Sequence, residues 1–369
     1  MKRMTRTSRL TALLAAVALT TAACGSSADQ SEGGENLSWR YATNTPQSST
    51  IESGSTWFVD AVNEQLSGRL AIEPFWAASL VAQGEEFQAT QDGTVQIGHM
   101  VQTLYNEQFP LWGIGAVPFL AQDPEAQLRA FAKLAVENEA FRNEFESQGV
   151  RLLFFKPLSQ FTMGFPTPVT SIEQMRGKRV RTLGFGPSQA LTAIGVEPID
   201  VALNEIYDAT SRGTIDGWAA ITLELANIAL GLQEVSPYMV NTGFGLYTSL
   251  ANVVSLEAWN ALPDGLRAEV ERLVAEQYDV AIETLNRQES EACRLLTEAG
   301  GTVTNLPDAE IEAWRDLVLD SLLQRWRDNA IAQGVAPADV DQFEQDYYAA
   351  LEEFGATSTF QSGLDACAS

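Results

Sequence analysis

One stretch of the chain decides the fold, and it reads RGKRVRTLGFGPSQALTAIG at residues 176–195. Charged and apolar residues alternate at its start, which predicts a short strand that ends near Arg181. Gly184 and Gly186 then interrupt the strand, and Pro187 suits the first turn of a helix. A cation, free backbone N–H groups and the positive end of a helix dipole therefore meet here, and this combination favours an anion-binding site at Arg181.

The chain as a whole is strongly acidic. Its 369 residues include 48 Asp and Glu against 23 Lys and Arg, which gives a formal net charge of −25. This charge argues against nucleic acid as a partner, because a polyanion is repelled. A solvated basic strand end is the alternative interpretation of the run around Arg181. The contrast with the net charge, the two glycines and the helix that follows favour the anion site.

The N-terminus has the pattern of a secretory signal, residues 1–23, with Lys and Arg before a short apolar run. The small residues before Cys24 favour a lipoprotein signal, with the lipid attached at Cys24. Thr21 stands where leucine is commoner, so ordinary cleavage is the alternative. Residues 24–36 are rich in Gly, Ser and acidic residues, which predicts a flexible tether. We therefore expect a protein at the periplasmic or extracellular face, anchored at Cys24.

The other two cysteines are Cys293 and Cys367. In an oxidising compartment they can form a disulfide that pins the C-terminal tail, residues 356–369, and free buried thiols are the alternative. The cysteine spacing fits no metal motif, and the sequence carries no P-loop and no HExxH motif. We expect neither a metal nor a cofactor.

Strands alternate with helices after the tether, which predicts an α/β fold. The segment ATQDGTVQ at residues 89–96 is echoed by ATSRGTID at residues 209–216, and each copy combines a helix end, a glycine stop and a strand start. Coincidence in a common unit is the alternative. If the echo is real, it predicts two lobes built on one plan. The strand ends after the copies then face a shared cleft, and they carry His99, Met100, Trp218 and Ala220.

A long helix is predicted over residues 266–299, which contain no Gly or Pro and have apolar residues at helical spacing. At ~1.5 Å per residue it spans about 50 Å, more than one small lobe, so we expect it to brace both. The expected division places residues 37–158 and 246–285 in lobe 1, and residues 159–245 and 286–355 in lobe 2.

Several short motifs follow one another in a specific order. IEQMRGKRVR at 172–181 is followed by AIGVEP at 193–198, EIYDA at 205–209 and GTIDG at 213–217, and the first half contributes FWAASL at 75–80 and VPFL at 117–120. Together they resemble the solute-binding proteins of tripartite ATP-independent periplasmic (TRAP) transporters. The resemblance covers about residues 37–323.

This resemblance implies a periplasmic-binding-protein-like fold with two α/β lobes, a cleft between them and a long helix that crosses both. It implies that Arg181 holds the carboxylate of an organic acid, and that a TRAP membrane permease is the partner. The assignment agrees with the chemistry of the side chain, since a guanidinium can clasp a carboxylate through two parallel hydrogen bonds and lysine cannot.

Two departures from the family pattern suggest a less polar cleft. Phe161 lies near the position where many members carry a second arginine, and Trp218-Ala219-Ala220 follows the Asp-Gly pair where a polar residue is frequent. We therefore predict a monocarboxylate with an apolar or aromatic body. For each candidate contact other than Arg181 a structural role in the core is the alternative, above all for the single histidine: Thr45, Trp76, His99, Met100, Phe161, Phe185, Leu203, Trp218 and Ala220.

Two other classes of function have to be considered. Ser188 follows Gly186 and Pro187 between a strand and a helix, as in the nucleophile elbow of a hydrolase. That motif needs a second glycine, where this chain has Ala190, and a histidine after the serine, whereas His99 precedes it. We therefore expect no enzyme. A ligand sensor, or a binding protein for another uptake system, is the remaining alternative.

Overall fold

The structure is a computed structural model that describes residues 36–368. Its strands are β1 Leu37–Ala42, β2 Leu70–Phe75, β3 Ile97–Val101, β4 Val150–Lys156, β5 Phe161–Phe165, β6 Arg179–Arg181, β7 Glu197–Ile199, β8 Gly217–Thr222, β9 Tyr238–Asn241, β10 Leu250–Ser255 and β11 Thr302–Asn305. Its α-helices are α1 Ser53–Gln65, α2 Glu86–Gln91, α3 Pro124–Glu137, α4 Glu139–Glu146, α5 Phe185–Ala193, α6 Ile206–Ser211, α7 Leu256–Asn260, α8 Asp264–Glu298, α9 Asp308–Ala332, α10 Pro337–Gly355 and α11 Gly363–Cys367. The signal, Cys24 and the tether up to residue 35 lie outside the described residues.

The strands form two sheets, one in each lobe. The sheet of lobe 1 has the order β2-β1-β3-β10-β4, and the sheet of lobe 2 has the order β11-β9-β5-β8-β6-β7. Each combines parallel pairs, such as β1 with β2 and β6 with β8, with antiparallel pairs such as β10 with β4 and β5 with β9. The chain crosses between the lobes from β4 to β5 and returns from β9 to β10. The expected two-lobed α/β architecture is confirmed.

The sequence echo corresponds to equivalent elements of the two lobes. Helix α2 stops at Gly93 with φ of 76° and leads into β3, while α6 stops at Gly213 with φ of 68° and leads into β8. Both glycines adopt the left-handed conformation that side chains disfavour and that commonly closes a helix. The equivalent backbone contact repeats as well: Val95 N donates to Ala89 O at 3.0 Å, and Ile215 N donates to Ala209 O at 3.4 Å.

Two long helices connect the lobes. Helix α8 has 35 residues, about 52 Å at ~1.5 Å per residue, and it packs on α1 and β4 of lobe 1 and on α11 beside lobe 2. Helix α9 bonds to both lobes through tryptophans. Trp314 Nε1 donates to Ala190 O of α5 at 2.7 Å, and Trp326 Nε1 donates to Pro110 O of lobe 1 at 2.9 Å.

Helix α10 differs from the expected division, which placed it in lobe 2. It packs on α3 and α4 of lobe 1: the Tyr347 ring stacks on Phe131 of α3 at 4.9 Å, and the Phe343 ring lies 4.8 Å from Phe141 of α4. The apolar stripe of α10 predicted that the helix packs against another element, but it did not predict to which lobe that element belongs. Across residues 36–368, no helix has the length and apolar character needed to cross a membrane.

Candidate functional site

A cleft of about 520 Å³ lies between the lobes. Its walls combine residues of lobe 1, the loop from β6 into α5, the crossing segment before β10, and α9. Among the residues that the structure describes, no Asp or Glu lines it. The lining residues are Val101, Thr103, Leu104, Asn106, Gly113, Ala116, Val117, Phe161, Leu183, Gly184, Phe185, Gly186, Pro187, Ala220, Tyr247, Thr248, Leu322, Arg325, Trp326 and Asn329.

Arg181 is the last residue of β6 and is not itself among the lining residues, but it bonds to Ala219, the neighbour in sequence of the lining residue Ala220. Its side chain is buried, with Nε donating to Val201 O at 3.1 Å and a terminal nitrogen donating to Ala219 O at 3.4 Å. A guanidinium has five N–H donors, so these two bonds leave others without a protein acceptor. Burial lowers the pKa of Arg181, and nearby Tyr247 and Asp200 oppose this effect. An arginine stays charged through such a shift, because its ordinary pKa is far above neutral.

Arg181 differs from most arginines of the described chain, which form ion pairs. Arg69 binds Glu269, Arg212 binds Asp208, and Arg179, two residues earlier on the same strand, binds Asp216. Within residues 36–368, neither Arg181 nor Arg325 forms an ion pair. Arg325 was not predicted as a site residue. Its guanidinium carbon lies 3.3 Å from the centre of the Phe185 ring, so Phe185 covers one face of the cation.

The helix expected after the glycine loop is α5, and its first turn borders the cleft. Gly184 precedes it with φ of 85°, and Leu183 to Pro187 all line the cleft. The backbone N–H groups of a first helical turn have no partner within the helix, and the helix dipole is positive at this end. Arg181 and the N-terminus of α5 therefore lie near one another beside the cleft.

Three of the predicted contacts line the cleft: Phe161, Phe185 and Ala220. Phe161 stacks on Tyr247 with ring centres 4.1 Å apart, and its backbone N–H donates to Gly245 O at 3.0 Å. Ala220 directly follows Ala219, whose carbonyl accepts the bond from Arg181. The polar end and the apolar walls of the cleft thus meet at Ala220.

Trp218 does not line the cleft. It is fully buried in the core of lobe 2, opposite Gly164, where a Cβ would lie only 2.2 Å from the indole ring. The regular strand alternation used for the prediction puts residues 218 and 220 on one face. Ala220 instead has φ of 63°, and the pairing of β5 with β8 shifts register nearby. This break in the pleat allows Ala220 to reach the cleft while Trp218 stays in the core.

His99 and Met100 are buried inside lobe 1. His99 Nδ1 lies 3.0 Å from Lys156 Nζ, and Lys156 forms an ion pair with Glu52 at 2.8 Å. Burial first, and then Lys156, lower the pKa of His99 to about 3, so the ring is neutral at ordinary pH. The structure therefore gives His99 a structural position within a buried polar network.

The remaining candidates also lie away from the cleft. Trp76 packs edge-on against Tyr41 at 5.3 Å, Leu203 is exposed at a turn, and the backbone N–H of Thr45 bonds to Thr43 Oγ1 at 3.2 Å. Ser188 Oγ donates to Gly184 O at 2.7 Å, and His99 lies in the interior of lobe 1. No catalytic pair forms at the glycine loop in the described part of the chain.

Tyr247 and Thr248 line the cleft and were not predicted. Both belong to the segment that returns from β9 to β10. Tyr247 Oη and Thr248 Oγ1 are buried and have no hydrogen-bond partner within residues 36–368. The crossing could have been inferred from the expected division, which changes lobe at residue 246, but no motif marks these two residues.

The two other cysteines lie in lobe 2. Cys293 of α8 and Cys367 of α11 form a disulfide, with Cα atoms 5.5 Å apart. Of the residues that the structure describes, no group of three or more His, Cys, Asp or Glu side chains could hold a metal ion.

Comparison with known proteins places the chain in a family. The profile of bacterial extracellular solute-binding proteins, family 7, matches residues 41–328. The ectoine-binding periplasmic protein TeaA of Halomonas elongata is 26% identical over 287 residues, which cover 75% of this chain and 81% of TeaA. A monocarboxylate 2-oxoacid-binding periplasmic protein of Nostoc is 29% identical over 237 residues, 62% of each chain.

A solved structure has the same fold. The TRAP solute-binding protein of Rhodoferax ferrireducens, in complex with copurified benzoate, superposes with a TM-score of 0.72 at 18% identity, over 87% of this chain and 99% of the other. The named relatives are solute-binding proteins and not enzymes, as expected from the sequence. The chain therefore belongs to family 7 of the bacterial extracellular solute-binding proteins, the solute-binding proteins of TRAP transporters.

Proposed function

We propose that this protein captures a small monocarboxylate with an apolar or aromatic body in the inter-lobe cleft and delivers it to a TRAP membrane permease. One observation carries the proposal. Arg181 is a buried cation that forms no ion pair within residues 36–368, and it bonds to Ala219, next to Ala220 of a cleft whose described lining contains no Asp or Glu. A buried charge is costly unless it is paired, so an anionic ligand is the natural partner.

The apolar walls support the choice of ligand class. Phe161, Leu183, Phe185, Val117 and Trp326 line the cleft, and polar lining residues are few. Arg325 adds a second cation, but the Phe185 ring already covers one of its faces. The Nostoc relative is named for monocarboxylate 2-oxoacids and the Rhodoferax structure holds benzoate, both of which are carboxylates.

Capture requires that the ligand binds the closed state more tightly than the open one. The carboxylate first reaches Arg181, and the lobes then close on the apolar body. In the structure, the first turn of α5 already meets lobe 1, since a Cβ added at Gly186 would lie 3.0 Å from Ala116 O. The closed surface formed by the two lobes is the part that we expect the permease to recognise.

The location is proposed from the sequence and from the names of relatives. The secretory pattern at residues 1–23 supports an extracytoplasmic protein, and relatives are named as periplasmic. Attachment through Cys24 stays a prediction, because Cys24 lies outside the described residues and the relatives give it no support.

The proposal is tested by calorimetric titration of Arg181 variants with benzoate, phenylacetate and mandelate. Arg181→Ala removes the charge, and Arg181→Lys keeps the charge but loses the two-pronged geometry. Loss of one partner of a buried charged pair costs about 2–5 kcal/mol, and about 1.4 kcal/mol corresponds to tenfold in affinity. We therefore expect Arg181→Ala to weaken binding by at least about thirtyfold.

Arg179→Lys is the matched control, because Arg179 lies on the same strand and is already paired with Asp216. It should leave affinity unchanged. If acids bind the Arg181 variants as tightly as the unmodified protein, Arg181 is not the carboxylate partner and the proposal fails.

A further inference from the structure

Within the part of the chain that the structure describes, Arg325 of α9 is the only charged residue that lines the inter-lobe cleft. Its guanidinium forms neither a hydrogen bond nor an ion pair with residues 36–368. Two other arginines of the same helix are paired, Arg315 with Asp316 at 2.9 Å and Arg327 with Glu344 at 2.6 Å. The five N–H donors of Arg325 are therefore unused by the described chain, and a lining cation of this kind suits an anionic ligand group.

The stack with Phe185 holds the guanidinium of Arg325 without using its donors. The guanidinium carbon lies 3.3 Å from the centre of the Phe185 ring, so the ring covers a face of the cation. The N–H groups of a guanidinium lie in its plane and point outward from the edge. Phe185 therefore restricts the plane of the cation and leaves its edge free for two parallel hydrogen bonds to a carboxylate.

The stack lies at the mouth of the cleft, between elements of both lobes. Phe185 is 48% exposed, and Arg325 is exposed as well. Phe185 is the first residue of α5 in lobe 2, whereas Trp326, next to Arg325, donates to Pro110 O of lobe 1. Arg325 is thus open to a ligand that enters from solution, and the buried Arg181 is not.

Resting on the proposed function, we propose that Arg325 is a second residue that contacts the anionic group of the bound acid, and that Phe185 positions it. The contact is made by the free edge of the guanidinium. A carboxylate has about four lone-pair sites, so a bond to Arg325 does not exclude one to Arg181. Arg325 is then a binding residue, and Phe185 acts on affinity through the orientation of Arg325.

Calorimetric titration with benzoate, phenylacetate and mandelate tests the contact. Arg325→Gln removes the charge and keeps a polar side chain, and we expect it to weaken binding about three- to tenfold. The effect should be smaller than that of Arg181→Ala, because Arg325 is exposed to solvent. Arg325→Lys keeps the charge and should recover part of the loss. Arg315→Gln is the matched control, an exposed arginine of the same helix that is already paired, and it should leave affinity unchanged.

Salt separates a direct ionic contact from a change in the shape of the cleft. The Debye length falls from about 10 Å at 0.1 M salt to about 3 Å at 1 M, so an exposed ion pair becomes weaker. The ratio of affinities between the unmodified protein and Arg325→Gln should therefore approach one when NaCl is raised over this range. A ratio that does not change with salt would show that the substitution acts by altering the cleft, and the contact would be refuted.

A double-mutant cycle tests the role of Phe185. Phe185→Leu removes the ring and keeps an apolar side chain, so it should weaken binding about two- to threefold in the unmodified protein. In the Arg325→Gln background it should have no effect, because the residue through which it acts is gone. Phe185→Tyr keeps the ring and should bind as the unmodified protein does. Equal losses from Phe185→Leu in both backgrounds would mean that the ring contacts the ligand itself, and the positioning role would be wrong.

This inference and the proposed function fail in different ways. If Arg325→Gln binds the acids as tightly as the unmodified protein while Arg181→Ala does not, the inference is overturned and the proposed function stands. If only Arg325→Gln loses affinity, Arg325 is the carboxylate contact and the role given to Arg181 is wrong. Losses in both variants support both. If neither variant loses affinity, or if the unmodified protein binds none of the three acids, both are overturned.

Discussion

Glu224 and Glu289 are two carboxyl groups that face each other in the interior. Thr222 Oγ1 donates to Glu224 Oε1 at 2.7 Å, and Gly363 N donates to Glu289 Oε2 at 2.8 Å. The two side chains are also hydrogen-bonded to each other, which requires a proton on one of the two carboxyl groups. Burial raises the pKa of both groups, and the negative charge of Glu224 raises that of Glu289 further. The pair therefore holds a proton well above the ordinary range of a glutamic acid.

This pair should make the protein less stable as the pH rises. Between the unfolded pKa of about 4.3 and the raised folded pKa, the native state holds more protons than the unfolded state, so the free energy of unfolding falls with increasing pH. Glu289→Gln removes one of the two acids, and its amide can donate to Glu224. We expect the variant to lose less stability than the unmodified protein between pH 5 and pH 8, as measured by denaturant unfolding. The difference is at most about 1.4 kcal/mol per pH unit.

Glu283→Gln is a suitable control for that measurement. Glu283 lies on the same helix and is exposed beside Arg287, so it should leave the pH dependence unchanged. If the free energy of unfolding falls equally with pH in the unmodified protein and in Glu289→Gln, the buried pair is already ionised.

Sequence patterns predicted some of the residues at or beside the cleft because each of those residues carries a local signal. Arg181 stands out as a cation before a glycine loop and a helix, and Phe161 departs from a family pattern. Trp218 was misplaced because the left-handed conformation of Ala220 interrupts the alternation on which the prediction relied. Tyr247 and Thr248 were missed because an unpaired hydroxyl becomes visible only when all its neighbours in space are known.

At the scale of elements, periodicity was a good guide to helices and a poor guide to where they pack. The run without Gly or Pro became α8, and the two glycine stops became the equivalent ends of α2 and α6. Helix α10 was expected on lobe 2 and lies on lobe 1. The expectation failed because an amphipathic stripe does not specify the element against which it packs. Helix α11 has only five residues, which is too short for any periodic signal.

The disulfide should hold α11 against α8. The two cysteines are 74 residues apart in sequence, and closing a loop of that length restricts the unfolded chain by about 4 kcal/mol in the chain-entropy model. The double variant Cys293→Ser, Cys367→Ser should therefore melt at a lower temperature under non-reducing conditions. Its ligand affinity should be unchanged, because neither cysteine lines the cleft.

A reductant provides the internal control for this comparison. Dithiothreitol should lower the melting temperature of the unmodified protein towards that of the double variant and have no effect on the variant. Peptide mapping without reduction that finds both thiols free would contradict the bond.

At the scale of the whole molecule, the sequence echo was enough to predict two lobes and a cleft. The relation between the lobes was only partly predictable. Helix α8 was expected to cross both, whereas the second crossing by α9 depends on Trp314 and Trp326 bonding to carbonyls of different lobes. Such contacts join residues more than 100 positions apart in sequence, so no local pattern predicts them.

The imbalance of charge has a consequence for how fast the protein finds its ligand. With a net charge of −25, the molecule repels an incoming acid over a range set by the Debye length, about 10 Å at 0.1 M salt. Arg181 acts only at short range, because it is buried. Stopped-flow mixing with a carboxylate should therefore give an association rate constant that increases severalfold with added NaCl. An attractive encounter would be slowed by the same salt, and a rate that falls would show that the cleft steers anions despite the acidic surface. Concentrated salt screens the acidic surface of the protein. The protein should therefore bind its anionic ligand fastest in brine.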